Sequence, residues 1–269
     1  MKLMNYLTIF LLISAFLFIS CSTVPITGRK QLSLIPESQM LSMSFSQYDQ
    51  FLKDNKESND PQKIALVKRV GERIASAVEQ YLKDHNMGSE VSNYKWEFHL
   101  IESNEVNAWC MPGGKVVVYT GILPITQDEN GLAVVLGHEI SHAVAKHGDE
   151  RMSQGLIAQL GGVALQEALK NKPAQTQQIF MTAYGVGSQV GVLLPFSRTQ
   201  ESEADHLGLI FMAMAGYDPH GAVTFWERMM NQNTGSKPPE FLSDHPADQT
   251  RINDIKAEIP EAMKYYNPK

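Results

Sequence analysis

The segment His138-Glu139-Ile140-Ser141-His142 constrains this chain more than any other. It lies in apolar sequence, with Val134, Val135 and Leu136 before it and Ala143, Val144 and Ala145 after it. Such a run reads as a buried helix, and on a helix histidines at i and i+4 share one face, a turn apart. There one zinc ion can take a nitrogen from each ring at about 2.0–2.1 Å. Glu139, one residue further round, flanks such an ion rather than binding it. It is placed to act as general base on a metal-bound water.

Two histidines leave zinc a ligand short. The extended motif with Gly and His three and six residues beyond the second histidine is excluded, because those positions are Ala145 and Gly148. His147 is out of register and is expected at the helix C-terminus, where a polar or cationic side chain is favoured. The segment Ser197-Arg198-Thr199-Gln200-Glu201-Ser202-Glu203-Ala204-Asp205 offers two carboxylates instead. Glu201 has Asp205 one turn along on its own face. That pairing lets Glu201 bind the metal while Asp205 orients a ligand histidine through its other ring nitrogen. Glu203 has no such partner and is the less favoured third ligand. An acidic first turn complementing the helix dipole would also account for both glutamates without metal; only their combination with His138 and His142 selects the metal reading.

The chain thereby resembles the gluzincin zinc peptidases related to HtpX and the CAAX prenyl proteases, and within them a bacterial lipoprotein branch. The resemblance runs from Thr27-Gly28-Arg29-Lys30-Gln31-Leu32 to Arg251. It implies His138, His142 and Glu201 as ligands of one zinc ion, Glu139 as base and Asp205 as the group behind a ligand. It adds His245, in Ser243-Asp244-His245-Pro246, as a residue over the metal that supports the oxyanion or, in a latent state, binds zinc. It also implies an extended substrate paired along Glu105–Trp109, with Asn107 and Ala108 in contact. The implied partners are protein or peptide substrates, and damaged envelope proteins are the implied class. The rival reading is a non-enzymatic chaperone or scaffold lipoprotein with a structural zinc site, against which the intact Glu139 speaks, since a structural site needs no base.

The N-terminus differs in kind. Lys2 precedes an uncharged apolar run, Tyr6 to Ile19, which at fourteen residues falls short of the roughly 18–20 needed to span a bilayer. A secretory signal over residues 1–20 is the better reading. Phe18-Ile19-Ser20-Cys21 resembles a bacterial lipoprotein signal, which implies acylation of Cys21, a membrane anchor and export. Ser22 after the cysteine favours the outer membrane, facing the periplasm. Cys110 is then left without an internal partner and is expected to pack as a small hydrophobe in a strand. A net charge of −6 gives no basic footprint, so nucleic acid is excluded as a partner.

Between anchor and motif, residues 21–60 read as a tether followed by a helix opened by Pro36, and 61–269 as the metallopeptidase domain. Pro61 opens a second helix, with Ile64, Val67, Val70, Ile74, Val78 and Tyr81 at helical spacing. Residues 96–101 alternate as a strand. Glu105–Met111 and Lys115–Thr120 read as two more, joined by the turn Pro112-Gly113-Gly114. From Leu123 the pattern is helical, so the fold class is α+β, mostly helical, with a small sheet beside the active-site helix. Ile179–Phe196 carries no charge; it is expected as a buried, tightly packed helix near the site rather than a membrane span.

Overall fold

A computed structural model of the protein describes residues 21–24, 27–189, 194–232 and 239–268. The signal expected over residues 1–20 lies outside the described residues, as does the side chain of Cys21. The fold is α+β and mostly helical. Its backbone contacts form two compact units. One comprises residues up to Met40 together with Lys146–Arg198, the other Leu41–Ala145 with Thr199–Lys269.

The larger unit holds the sheet and the His-Glu-x-x-His helix. Most of α1 (Glu37–Asp54) lies in it, with Tyr48 fully buried. Helix α2 (Pro61–Asp84) starts where the sequence says it should. Asp60 accepts hydrogen bonds from the backbone N–H groups of Gln62 and Lys63, and Pro61 fills the first turn, where no N–H is needed. Its buried stripe of Val67, Val70, Ile74, Val78 and Tyr81 follows the helical period. Burial of side chains of this size contributes about 1.5–3 kcal/mol each.

Three strands follow: β3 (Glu97–Ile101), β4 (Ala108–Met111) and β5 (Lys115–Tyr119). Their order is β3-β5-β4, with β3 parallel and β4 antiparallel to β5. The central strand is buried along its whole length, which explains its unbroken apolar run Val116-Val117-Val118. Gly113 and Gly114 take φ of +84° and +83° in the β4–β5 turn, a backbone that side chains disfavour. Strand β4 begins at Ala108 rather than Glu105. The carbonyl of Val106 is taken by the backbone N–H of Phe241, at 3.1 Å, so the preceding residues follow a different path.

Helix α3 (Glu129–Val144) is capped by Asp128, which accepts from Gly131 N at 2.8 Å, and is buried from Gly131 to its end. It crosses α6 (Leu194–Met214) where Gly137 meets Gly208. A Cβ on Gly137 would lie 2.9 Å from the Gly208 carbonyl oxygen, and one on Gly208 would lie 3.0 Å from His138 N. Only glycine at both places permits so close a backbone approach. Helices α7 (Gly221–Asn231), α8 (Glu240–Asp244) and α9 (Gln249–Ala262) complete the unit. They bury Phe225, Trp226 and Phe241 in its core.

The smaller unit contains a two-strand hairpin, β1 (Cys21–Thr23) with β2 (Lys30–Leu32), and two helices, α4 (His147–Leu169) and α5 (Ala174–Ser188). Arg29 forms a bidentate pair with the buried Glu150, at 2.8 and 2.7 Å, and Ser153 accepts from Leu34 N. His147 does not close the motif helix; α3 stops at Val144, Lys146 turns the chain through a left-handed φ of +56°, and His147 opens α4. Nor is the described part of Ile179–Phe196 buried, for α5 has no buried residue and Ile179 is 67% exposed. The absence of charge marked a surface that this unit leaves uncovered, whereas apolarity alone had pointed to the core. Residues 190–193 and the side chains of 194–196 fall outside the described residues. Among the described residues, no helix is long and apolar enough to cross a membrane.

Candidate metal centre

His138 and His142 sit one turn apart on α3, as their spacing requires. Helix α6 passes at the Gly137–Gly208 crossing, and Glu201, about two turns before that crossing, comes to the same point. His245, directly after α8, is fixed by its own backbone N–H, which donates to the Phe241 carbonyl at 2.8 Å. Four donors converge: His138, His142, Glu201 and His245, all buried. His138 Nε2 is 3.1 Å from His142 Nε2 and 3.1 Å from His245 Nδ1. Glu201 oxygens lie 3.3 Å from His138 Nε2, 3.3 Å from His142 Nε2 and 3.0 Å from His245 Nδ1.

These separations test whether zinc fits. Four ligands at about 2.1 Å around a tetrahedral ion stand about 3.4 Å from one another. Five of the six residue pairs approach to 3.0–3.3 Å, with Glu201 meeting His138 through Oε2 and His142 through Oε1. The donor chemistry agrees, with three imidazoles and a carboxylate. The residues fit zinc, and zinc is the cofactor.

Around the donors lies a charged and aromatic frame. Asp205 Oδ1 is 2.9 Å from His138 Nδ1, the ring nitrogen that points away from the metal group. Arg251 clasps Asp205 through Nε and Nη2, at 2.7 and 2.8 Å, and its Nη1 lies 3.3 Å from Glu201. The guanidinium rests 3.6 Å above the Trp226 ring, which itself meets His138 edge-on. Burial would raise the pKa of Asp205, but Arg251 and His138 outweigh it and hold the carboxyl below its usual range. Glu201 is held far below its usual range against the same burial, by hydrogen bonds from the three histidines. Burial lowers the pKa of His138, and Asp205 and Glu201 overcome it, raising it to about 9.

Glu139 is buried and, as its offset of one residue predicts, stands outside the group of four. Its Oε1 lies 3.3 Å from His245 Nε2. Glu203 is also absent from the group. Cys110 is a β4 residue, and burial together with Glu139 pushes its thiol well above the ordinary range, which leaves it a poor nucleophile. Strand β4 is an edge strand. Asn107 directs its carbonyl to Tyr119 N, and its side chain accepts from Ala108 N at 2.8 Å. Sequence reasoning gave no role to Trp226 and noted Arg251 only as the end of a matching block. A cation buried against two carboxylates of another helix leaves no local pattern to find.

A His-Glu-x-x-His helix completed by a glutamate from a later helix defines a gluzincin-type zinc metallopeptidase. The model of peptidase family M48 matches residues 66–259. Relatives include the mitochondrial metalloendopeptidase OMA1 of Schizosaccharomyces pombe, 40% identical over 176 residues, which cover 65% of this chain and 50% of that protein. OMA1 of Saccharomyces cerevisiae is 29% identical over 267 residues, 94% of this chain and 73% of that one. The beta-barrel assembly-enhancing protease of Escherichia coli K12 is 28% identical over 247 residues, 88% and 47%. The chain belongs to peptidase family M48. It spans about half the length of the fission-yeast and E. coli relatives.

Proposed function

We propose that the protein is a zinc metalloendopeptidase of cell-envelope proteins, exported and tethered by a lipid on Cys21, at the outer membrane facing the periplasm. The observation that carries the catalytic part is the buried carboxylate of Glu139 beside a complete set of zinc donors, because a purely structural site has no use for a base. The substrate class is supported by the E. coli relative, whose name ties it to β-barrel assembly. The lipid tether is supported by the segment Phe18-Ile19-Ser20-Cys21.

Zinc at this site supplies a lowered pKa to water and polarisation to a carbonyl oxygen. The rest is done by the chain. Glu139 accepts the proton of the attacking water and delivers it to the leaving amine. Asp205 holds His138 in one tautomer and orientation, with Arg251 steadying Asp205. Asn107, just before the edge strand, and Ala108, its first residue, align an extended peptide by main-chain pairing.

His245 adds a second element, a closed resting state. Its Nδ1 stands at the fourth corner of the donor tetrahedron, and its Nε2 faces Glu139. With His245 as a fourth ligand, zinc would have no open position for water, and catalysis would require His245 to withdraw. The same segment engages the Val106 carbonyl through Phe241 N, just ahead of the strand where substrate would pair. Zinc-loaded protein should cleave casein in a chelator-sensitive manner, and cleavage should increase when His245 is replaced. Inactivity of both forms would leave the chaperone or scaffold reading in its place.

A further inference from the structure

The smaller unit carries a surface that the catalytic site does not use. On α4, Met152, Leu156, Leu160 and Val163 fall at i, i+4, i+8 and i+11, one face of the helix. Leu160 is 67% exposed and Val163 58%. The opposite face is the seam with α5, where Tyr184 donates to the Ala158 carbonyl at 2.8 Å and a Cβ on Gly161 would strike the Tyr184 hydroxyl. On α5, Phe180 and Val186 are 52% and 59% exposed. From Met152 to Gln166 there is no charged residue, and none from Pro173 to Ser188. Isolated apolar residues on a surface are ordinary, but four bare apolar side chains along one face of α4, within a charge-free stretch, form a docking face.

Charge and connectivity say what covers it. The described residues of this unit carry seven Lys and Arg against four Asp and Glu, a net of +3 in a chain whose total is −6. Arg151 precedes the uncharged stretch of α4, and Lys170 and Lys172 follow it. Basic side chains at the ends of an apolar surface suit the headgroups of a bilayer while the apolar face enters it. The apolar run Tyr6–Ile19 also stops two residues before Cys21, the first residue of β1; β1 pairs with β2, and β2 packs on α4. Anything that fixes the N-terminus to a membrane therefore holds α4 beside it.

We propose that the α4–α5 hairpin is a peripheral docking element that lies against an anionic lipid surface. Its orientation rests on the N-terminal anchor proposed above, whereas its exposure and charge do not. Neither helix is both long and apolar enough to span, so the face enters only the interfacial layer. Docking of this kind would keep a tethered peptidase on one side of its anchor.

The test is hydrogen–deuterium exchange of the full chain with excess vesicles containing about one-third phosphatidylglycerol. Exchange over residues 156–163 should slow by about tenfold, while α2 is unchanged. Leu160→Glu and Val163→Glu should abolish the protection. Lys170→Glu with Lys172→Glu, at exposed positions, should weaken it on anionic vesicles. A chain that floats with the vesicles but shows unchanged exchange in the hairpin keeps the anchor and overturns the docking. Failure to float overturns both. Protection that appears without lipid and rises with protein concentration assigns the face to a second copy instead. Equal protection on purely zwitterionic vesicles overturns the anionic preference.

Discussion

Asp205 Oδ1 lies 2.9 Å from Nδ1 of His138, and Nε2 of the same ring lies 3.3 Å from Glu201 within the donor group. One imidazole is thus held on both sides, by an anion behind and by the metal donors in front. Asp205→Asn is expected to weaken zinc binding by about 10–100-fold, read by competition with a chromophoric chelator. Unaltered affinity would show that the carboxylate does not set the ring.

Arg251 is expected to act on stability first. Removing it leaves the buried Asp205 without the cation that clasps it. Arg251→Met should therefore cost about 3–5 kcal/mol in chemical denaturation of the zinc-loaded protein. Lysine should restore only part, because it lacks the planar fork that grips Asp205 and stacks on Trp226.

For Glu139→Gln the expectation is a loss of about 10²–10⁴-fold in peptide cleavage with zinc content and fold unchanged. The amide keeps the shape and removes the proton acceptor. Equal cleavage by both proteins would end the peptidase reading.

His245→Ala should raise cleavage on the order of tenfold, as expected when a closed state loses about 1.4 kcal/mol of preference. A fall in turnover would instead mean that His245 serves the transition state more than it closes the site.

The helix crossing gives a paired prediction. Gly208→Val places carbon against His138 N and the Gly137 backbone, and should cost about 1–3 kcal/mol together with zinc affinity. Gly155→Ala, in α4 with nothing within 4 Å of its new methyl, should stabilise by about 0.5–1 kcal/mol. Thermal melts of the two variants distinguish a required glycine from an incidental one.

Asp149 predicts a pH dependence. Burial, helped by Glu37 and opposed by Lys146, raises its pKa from 3.8 to about 6, and its Oδ1 is buried without a hydrogen bond. A raised acid pKa means that the folded chain holds the proton more tightly than the unfolded one. Below pH 3.8 there is no cost. Stability then declines as pH rises to about 6, and the whole penalty, roughly 3 kcal/mol, stands above that. Asp149→Asn should raise the melting temperature at neutral pH and leave it unchanged near pH 3.5.

Much of the site could be read in advance because helical geometry is local. The spacing of His138 and His142 fixes two donors on one face, the offset of Glu139 keeps it off the metal, and Asp205 one turn from Glu201 separates that glutamate from Glu203. The strands, the Gly113-Gly114 turn and the start of α2 at Pro61 were legible for the same reason. Where the sequence misled, the question was what lies outside the segment. Ile179 and Phe180 are apolar and uncharged, and only the arrangement of α4 and α5 decides that they face outward. His147 needed the left-handed turn at Lys146 to be assigned to the helix after the motif.

The His-Glu-x-x-His segment, by itself, determined the helix, two donors on one of its faces and a carboxylate beside them, since each follows from residue type and a 3.6-residue period. Tertiary structure alone decided the rest. The Gly137–Gly208 contact brings α6 close enough for Glu201 to complete the donors, and Arg251 reaches Asp205 and Glu201 from α9 across Trp226. His245, more than a hundred residues from His138, places its Nδ1 at the fourth corner. None of these depends on a local pattern, because each is a distance between segments that only packing sets.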